Sequence, residues 1–82
     1  MPANNYVYFG EIDRFGYTLQ AIDTTEAKVR KALTDEYVRI FKRDNDGMHP
    51  SKCKYDGDRS YMSIFKEELF IEKREFGEVT WT

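Results

Sequence analysis

Eighty-two residues leave room for one domain with one core, and a chain this short hides only about 60–65% of its unfolded surface. A single cysteine, Cys53, excludes a disulfide within the chain and fits a reducing compartment. A net charge of −2 is too small to draw a membrane or a nucleic acid by long-range field, and no run approaches the ~20 apolar residues of a spanning helix.

Met1 to Asn5 carry no basic segment followed by an apolar run, so no secretory leader is expected and a cytoplasmic location follows. Six Tyr, six Phe and Trp81 supply large apolar areas per side chain, a way to build a core from few residues.

Residues 5–13 are rich in β-formers and alternate weakly, with Tyr6 and Tyr8 on one face and Val7 and Phe9 on the other. Asp13 to Gly16 supply turn chemistry, Gly16 being free to take positive φ. From Tyr17 to Ile22 the alternation resumes, placing Tyr17, Leu19 and Ala21 on one face and Thr18 and Gln20 on the other. The pattern predicts a β-hairpin.

A long helix follows. Asp23 or Thr24 is its expected cap, with Glu26 near the positive end of the dipole. No Gly or Pro intervenes before about Arg43, and Val29, Ala32, Leu33, Tyr37, Ile40 and Phe41 recur at the spacing of one helical face. Lys42 and Arg43 sit at the negative end, where cations help. Glu36 falls inside the apolar arc and is expected to pair with Arg39 or Arg43.

Residues 44–60 hold two Asp-Gly pairs, a Pro and scattered charge, and read as a long surface loop. Tyr61, Ile64, Phe65 and Leu69 fit a short helix capped by Ser60 or Asp58, or the start of a strand. Residues 70–81 predict a C-terminal strand in the hairpin's sheet, bent by a bulge at Gly77. Lys73 and Glu75 share the parity of Ile71, a placement that a buried strand does not tolerate. The pairs Phe9-Gly10, Phe15-Gly16 and Phe76-Gly77 read as packing anchors beside bends.

The expected fold is therefore α+β: a small antiparallel sheet, made of the hairpin plus a C-terminal strand, packed against one long amphipathic helix in a ββα(α)β order. Residues 1–82 are expected to form one domain. The expected core is Val7, Phe9, Leu19, Ala21, Val29, Leu33, Tyr37, Ile40, Ile71 and Val79.

Chemistry-bearing patterns are sparse. His49 and Cys53 are the only residues of their types, and with Asp44, Asp46, Asp56 and Asp58 they make no recognised zinc spacing. Asp44 to Gly47 fail as an EF-hand, because the glycine's register puts Lys42 where an acid belongs. A helix-terminating turn explains them better. Asp35-Glu36 and Glu67-Glu68 are sequence neighbours that point apart on a helix. No glycine-rich phosphate loop exists, and neither a metal nor a cofactor is expected.

Two surfaces remain. Lys28, Lys31, Arg39 and Lys42 form a basic stripe on the helix, with Asp35 among them, expected to pair with Arg39, and Arg30 and Arg43 on the flanks. On the sheet face away from the helix, Tyr6 and Tyr8 are expected beside Thr18, Gln20, Glu72 and Arg74. That face is left to water, to a partner, to the C-terminal segment or to a second copy of the chain.

These surfaces suggest a non-enzymatic protein-binding domain, with Tyr6, Tyr8, Lys28, Lys31, Arg39 and Lys42 as its candidate binding residues. Compact, motif-free domains of this kind recur among virus-encoded inhibitors of host factors, which would place it in the host cytoplasm. The alternatives are a nucleic-acid, nucleotide or small-molecule binder using the basic stripe and stacking tyrosines, and a small enzyme using His49 and Cys53.

Overall fold

The structure, a computed structural model, describes residues 6–14 and 16–75. Strands β1 (Tyr6–Arg14) and β2 (Tyr17–Asp23) form the hairpin, and α1 (Glu26–Asp44) is the long helix. A short 3-10 helix (Pro50–Lys52), β3 (Lys54–Asp56), β4 (Arg59–Ser60), α2 (Tyr61–Glu68) and β5 (Phe70–Glu75) complete the chain order. The main sheet is antiparallel in the order β2-β1-β5, and β3 and β4 make a separate two-stranded ribbon.

The hairpin turns where expected, with Arg14 opposite Tyr17 and Gly16 at φ 81°. The cap of α1 is Thr25, one residue past the expected pair. Its side chain accepts the Lys28 N–H at 3.1 Å, while Asp23 accepts the Thr24 N–H instead. At the other end Asn45 Nδ2 donates to the Phe41 carbonyl at 2.8 Å, and Gly47 (φ 84°) donates its N–H to the Lys42 carbonyl. Val29, Leu33, Tyr37, Ile40 and Phe41 are the buried stripe, and Ala32 is exposed.

Residues 44–60 are not a structureless loop. Pro50 is buried, and Gly57 (φ 58°) turns the β3–β4 ribbon, so the second Asp-Gly pair is a hairpin corner. Residues 61–68 are helical, with Ser60 as cap accepting the Ser63 N–H at 3.1 Å. This helix sends Met62, Ile64 and Phe65 inside.

One expectation is reversed. Val7 and Phe9 do not face the helix; Tyr6, Tyr8, Gly10 and Ile12 do. The reason is Gly10: a Cβ built there would stand 2.4 Å from Val29 Cγ1 and 2.8 Å from Leu33 Cδ1. Only a bare backbone lets α1 sit this close to β1, and that contact sets the parity of the whole strand. Gly10 thus serves close packing, not a bend.

Val7 and Phe9 consequently lie half-buried on the open face, and the Arg74 guanidinium covers the Phe9 ring at 4.1 Å. Lys73 and Glu75 do share the helix-side face with Ile71, through their partners Tyr8, Tyr6 and Gly10. They are exposed there, and Lys73 Nζ lies 4.2 Å from the Tyr6 ring centroid. Of the expected core, Leu19, Ala21 and Ile71 pack around its margin, and Val79 lies outside the described residues, as do Phe76, Gly77 and the expected bulge.

Gly10→Ala is expected to destabilise by about 1–3 kcal/mol, because Val29 and Leu33 are themselves fully packed and cannot yield. For a domain of this length that lowers the melting temperature by roughly 5–20 °C, readable by circular dichroism.

A series of aromatic rings runs through the core. The Tyr37 ring stacks on Phe65 at 4.5 Å with 9° between planes, and Tyr17 and Phe41 meet it at 6.3 and 5.9 Å. Phe41 contacts Tyr61 at 5.0 Å, and Tyr61 contacts Tyr55 at 5.1 Å. This series joins β2 to α1, α1 to α2 and α2 to β3.

A polar tie closes the end of the same layer. The Tyr17 hydroxyl donates to Asp44 Oδ2 at 2.7 Å, and Arg43 Nε donates to Asp44 Oδ1 at 3.0 Å. Arg43 first, then Tyr17, hold the Asp44 carboxyl below its ordinary 3.8, and the same hydroxyl bond raises the Tyr17 phenol above 10.0. The depressed carboxylate stabilises the fold above its ordinary value, and that contribution is lost as pH falls through the lowered one. The raised phenol stabilises below pH 10.0, and its contribution is lost as pH climbs through the folded value. Melts across pH should show both limbs. Tyr17→Phe should shrink the alkaline limb without abolishing it, since burial raises the Tyr37 phenol too.

Candidate functional site

The charges of the α1 stripe are largely spent within the helix. Lys31 pairs with Asp35 at 2.7 Å, Arg30 with Glu26 at 2.9 Å, and Arg39 with Glu36. Asp35 therefore takes Lys31 and not Arg39. Glu36 thus pairs with Arg39, one of its two expected partners, and the Arg39 guanidinium holds the Glu36 carboxyl below the usual carboxylate range. Lys28 and Lys42 are exposed and form no ion pair among the described residues.

A groove of about 580 Å³ opens beside the second half of this stripe. From α1 it takes Thr34, Asp35, Val38, Arg39 and Lys42, whose spacing is that of one helical stripe adjoining the buried one. From α2 it takes Met62 and Lys66, one turn apart. His49 and Ser51 close the end.

Each wall has a local cause. Val38 borders the core, so α1 turns an apolar residue toward α2 just outside the Leu33–Tyr37 stripe. Phe65 anchors α2 beneath Tyr37 and thereby brings Met62 and Lys66 opposite Val38 and Lys42. His49 caps the 3-10 helix: its Nδ1 accepts the Ser51 N–H at 3.1 Å and lies 2.8 Å from Ser51 Oγ. An acceptor Nδ1 means that the neutral ring carries its proton on Nε2.

The groove has an apolar floor, Val38 and Met62, beneath a rim that is net cationic. Asp35 and Arg39 are engaged by their helix neighbours, whereas Lys42 and Lys66 face in from two helices with no ion pair among the described residues. Methionine adapts to irregular apolar shapes, and paired ammonium groups suit a carboxylate or phosphate.

No family model, curated protein or solved structure gives a significant match to the chain.

Of the six candidate residues, only Arg39 and Lys42 line the groove. Lys28 and Lys31 lie nearer the start of α1, outside it. Tyr6 and Tyr8 are not on the open face: they meet edge to face at 5.8 Å on the helix side of β1, and Tyr8 packs on the core. Cys53 is half-buried against the core and does not line the groove with His49. Among the described residues no three His, Cys, Asp or Glu gather to hold a metal ion. No helix there is long and apolar enough to cross a membrane.

Sequence reasoning missed Lys66, Met62 and Val38. Val38 was legible as the neighbour of a buried stripe at i, i+4 from Thr34. Met62 and Lys66 could not be placed until residues 61–68 were known to be helical.

Proposed function

We propose that the protein is a non-enzymatic binding module whose groove between α1 and α2 receives an acidic segment of another protein bearing an aliphatic side chain. The observation that carries this reading is the pair Lys42 and Lys66, which line one groove with Val38 and Met62 from two different helices and form no ion pairs among the described residues. Carboxylates of such a segment would meet the two ammonium groups, and its aliphatic residue would cover the apolar floor.

Nucleic acid is the less supported ligand. Lys31 and Arg39 are neutralised along the helix, which breaks the stripe a phosphate backbone would follow, and among the described residues no Tyr, Phe or Trp lines the groove to stack on a base.

The test is a displayed library of short peptides with acidic residues around one aliphatic residue, the hits mapped by amide chemical-shift changes. Selected peptides should perturb Thr34, Val38, Met62 and Lys66. The Lys42→Glu/Lys66→Glu double variant should weaken them by roughly tenfold or more, and Lys28→Glu should leave them nearly unchanged. Hits that map elsewhere, or that ignore the double variant, would refute the groove. Steeply salt-dependent binding of a single-stranded oligonucleotide with no peptide hits would favour the nucleic-acid alternative.

A further inference from the structure

The main sheet has two edges, and they are built differently. The β5 edge carries Glu72, Lys73, Arg74 and Glu75 in succession, with Arg74 bonded to Glu72. Charge of this kind is the common guard against a strand adding to an edge. Among the described residues the β2 edge is less guarded: Tyr17 to Ile22 contain no charge and no proline, and Asp23, at the end of the strand, is its one charged residue.

Its side chains also leave the backbone bare. Thr18 Oγ1 donates to Asp13 at 3.1 Å and Gln20 Nε2 donates to Glu11 at 3.3 Å, so both reach inward to β1. Ile22 is 59% exposed, beside a hollow of about 320 Å³ formed with Phe9, Gln20 and Ala21.

The register says which amides are available. Arg14 and Tyr17 flank a two-residue hairpin loop, so they form a hydrogen-bonded pair, and the pairs alternate along the strand from there. Tyr17, Leu19, Ala21 and Asp23 turn their N–H and C=O groups toward β1. Thr18, Gln20 and Ile22 turn theirs outward.

We propose that the protein self-associates through this edge, β2 pairing antiparallel with β2 of a second copy about a two-fold axis at Gln20. Gln20 then faces its own counterpart, and Thr18 faces Ile22 of the second copy, which engages all three outward residues in roughly six inter-chain hydrogen bonds. On the helix side Leu19 meets Ala21 of the second copy. On the open face each Ile22 gains the Thr18 methyl as neighbour. The pairing is self-complementary and uses β2 of both chains, so it closes as a dimer, while the charged β5 edges stay outermost.

The experiment is sedimentation velocity across a wide range of protein concentration, on the full chain and on variants checked for folding by circular dichroism. The wild type should pass from monomer to dimer as concentration rises. Gln20→Pro removes an outward N–H that the fold does not use and should raise the dimer dissociation constant by at least about tenfold. Should Gln20→Pro fail to fold, Ile22→Lys places the missing charge on the edge at an exposed position and should have the same effect. In a Cys53→Ser background, Gln20→Cys should form an inter-chain disulfide under mild oxidation, because the two Cα atoms would stand about 5.5 Å apart.

A wild type that stays monomeric at every concentration overturns the proposal and leaves the edge to a strand of another protein. A dimer that survives a folded edge variant, or a cysteine at position 20 that does not couple, overturns it too and puts the contact elsewhere, for instance on the open face around Phe70.

Discussion

Leu33→Asp is expected to leave the chain without a cooperative thermal transition. Leu33 is 1% exposed and rests on Gly10 of β1, with Val29 one turn before it and Tyr37 one turn after. Replacing it removes about 2–5 kcal/mol of packing. It also places a carboxylate where no buried polar or charged residue exists to receive it among the described residues, which costs several kcal/mol more. A domain of this length holds roughly 4–12 kcal/mol in total. Far-UV circular dichroism on heating decides the matter. Lys31→Glu is the control: its ammonium is solvated, it loses one i,i+4 pair worth about 0.3–0.5 kcal/mol, and it should melt nearly as the wild type does. A normal melt for Leu33→Asp would show that the assignment of helix faces is wrong.

Phe65→Ala is expected to cost about 3–5 kcal/mol and to lower the melting temperature by roughly 10–40 °C. The ring is fully buried and stacks on Tyr37, so its loss opens a cavity between the two helices and removes an aromatic pair. It has a second consequence that a purely local defect would lack. Met62 and Lys66 owe their place to the seating of α2 on α1, so whatever folded population remains should bind groove peptides more weakly. Phe70→Ala is the contrast: the side chain is 54% exposed, and truncation should change stability by less than about 0.5 kcal/mol. Equal melting temperatures for the two variants would show that α2 is not anchored through Phe65.

These two positions also separate what was legible from what was not. Leu33 announced itself: with Val29, Tyr37, Ile40 and Phe41 it repeats over several turns, and a 3.6-residue period sustained that long marks a helix with one buried side. Phe65 did not, because eight residues hold about two turns, too few to distinguish a helix from the start of a strand. The open and covered faces of β1 were likewise ambiguous, since Tyr6 and Tyr8 on one side look as suited to burial as Val7 and Phe9 on the other.

The groove was half visible. Arg39 and Lys42 stood out as part of a basic stripe, but their difference did not: Arg39 is held by Glu36, whereas Lys42 forms no ion pair among the described residues. The choice between Asp35 and Glu36 as partners depends on side-chain reach along the helix, and a charge pattern alone allows either.

By itself the sequence determined the elements whose cause is local: the hairpin and its Gly16 turn, the span and buried stripe of α1, its Gly47 stop, and the run of charge in the C-terminal strand. Tertiary structure decided the rest, because the causes are contacts between distant residues. Gly10 beneath Val29 and Leu33 chose which face of β1 is covered, and Phe65 on Tyr37 seated α2. That seating alone brought Lys66 across from Lys42.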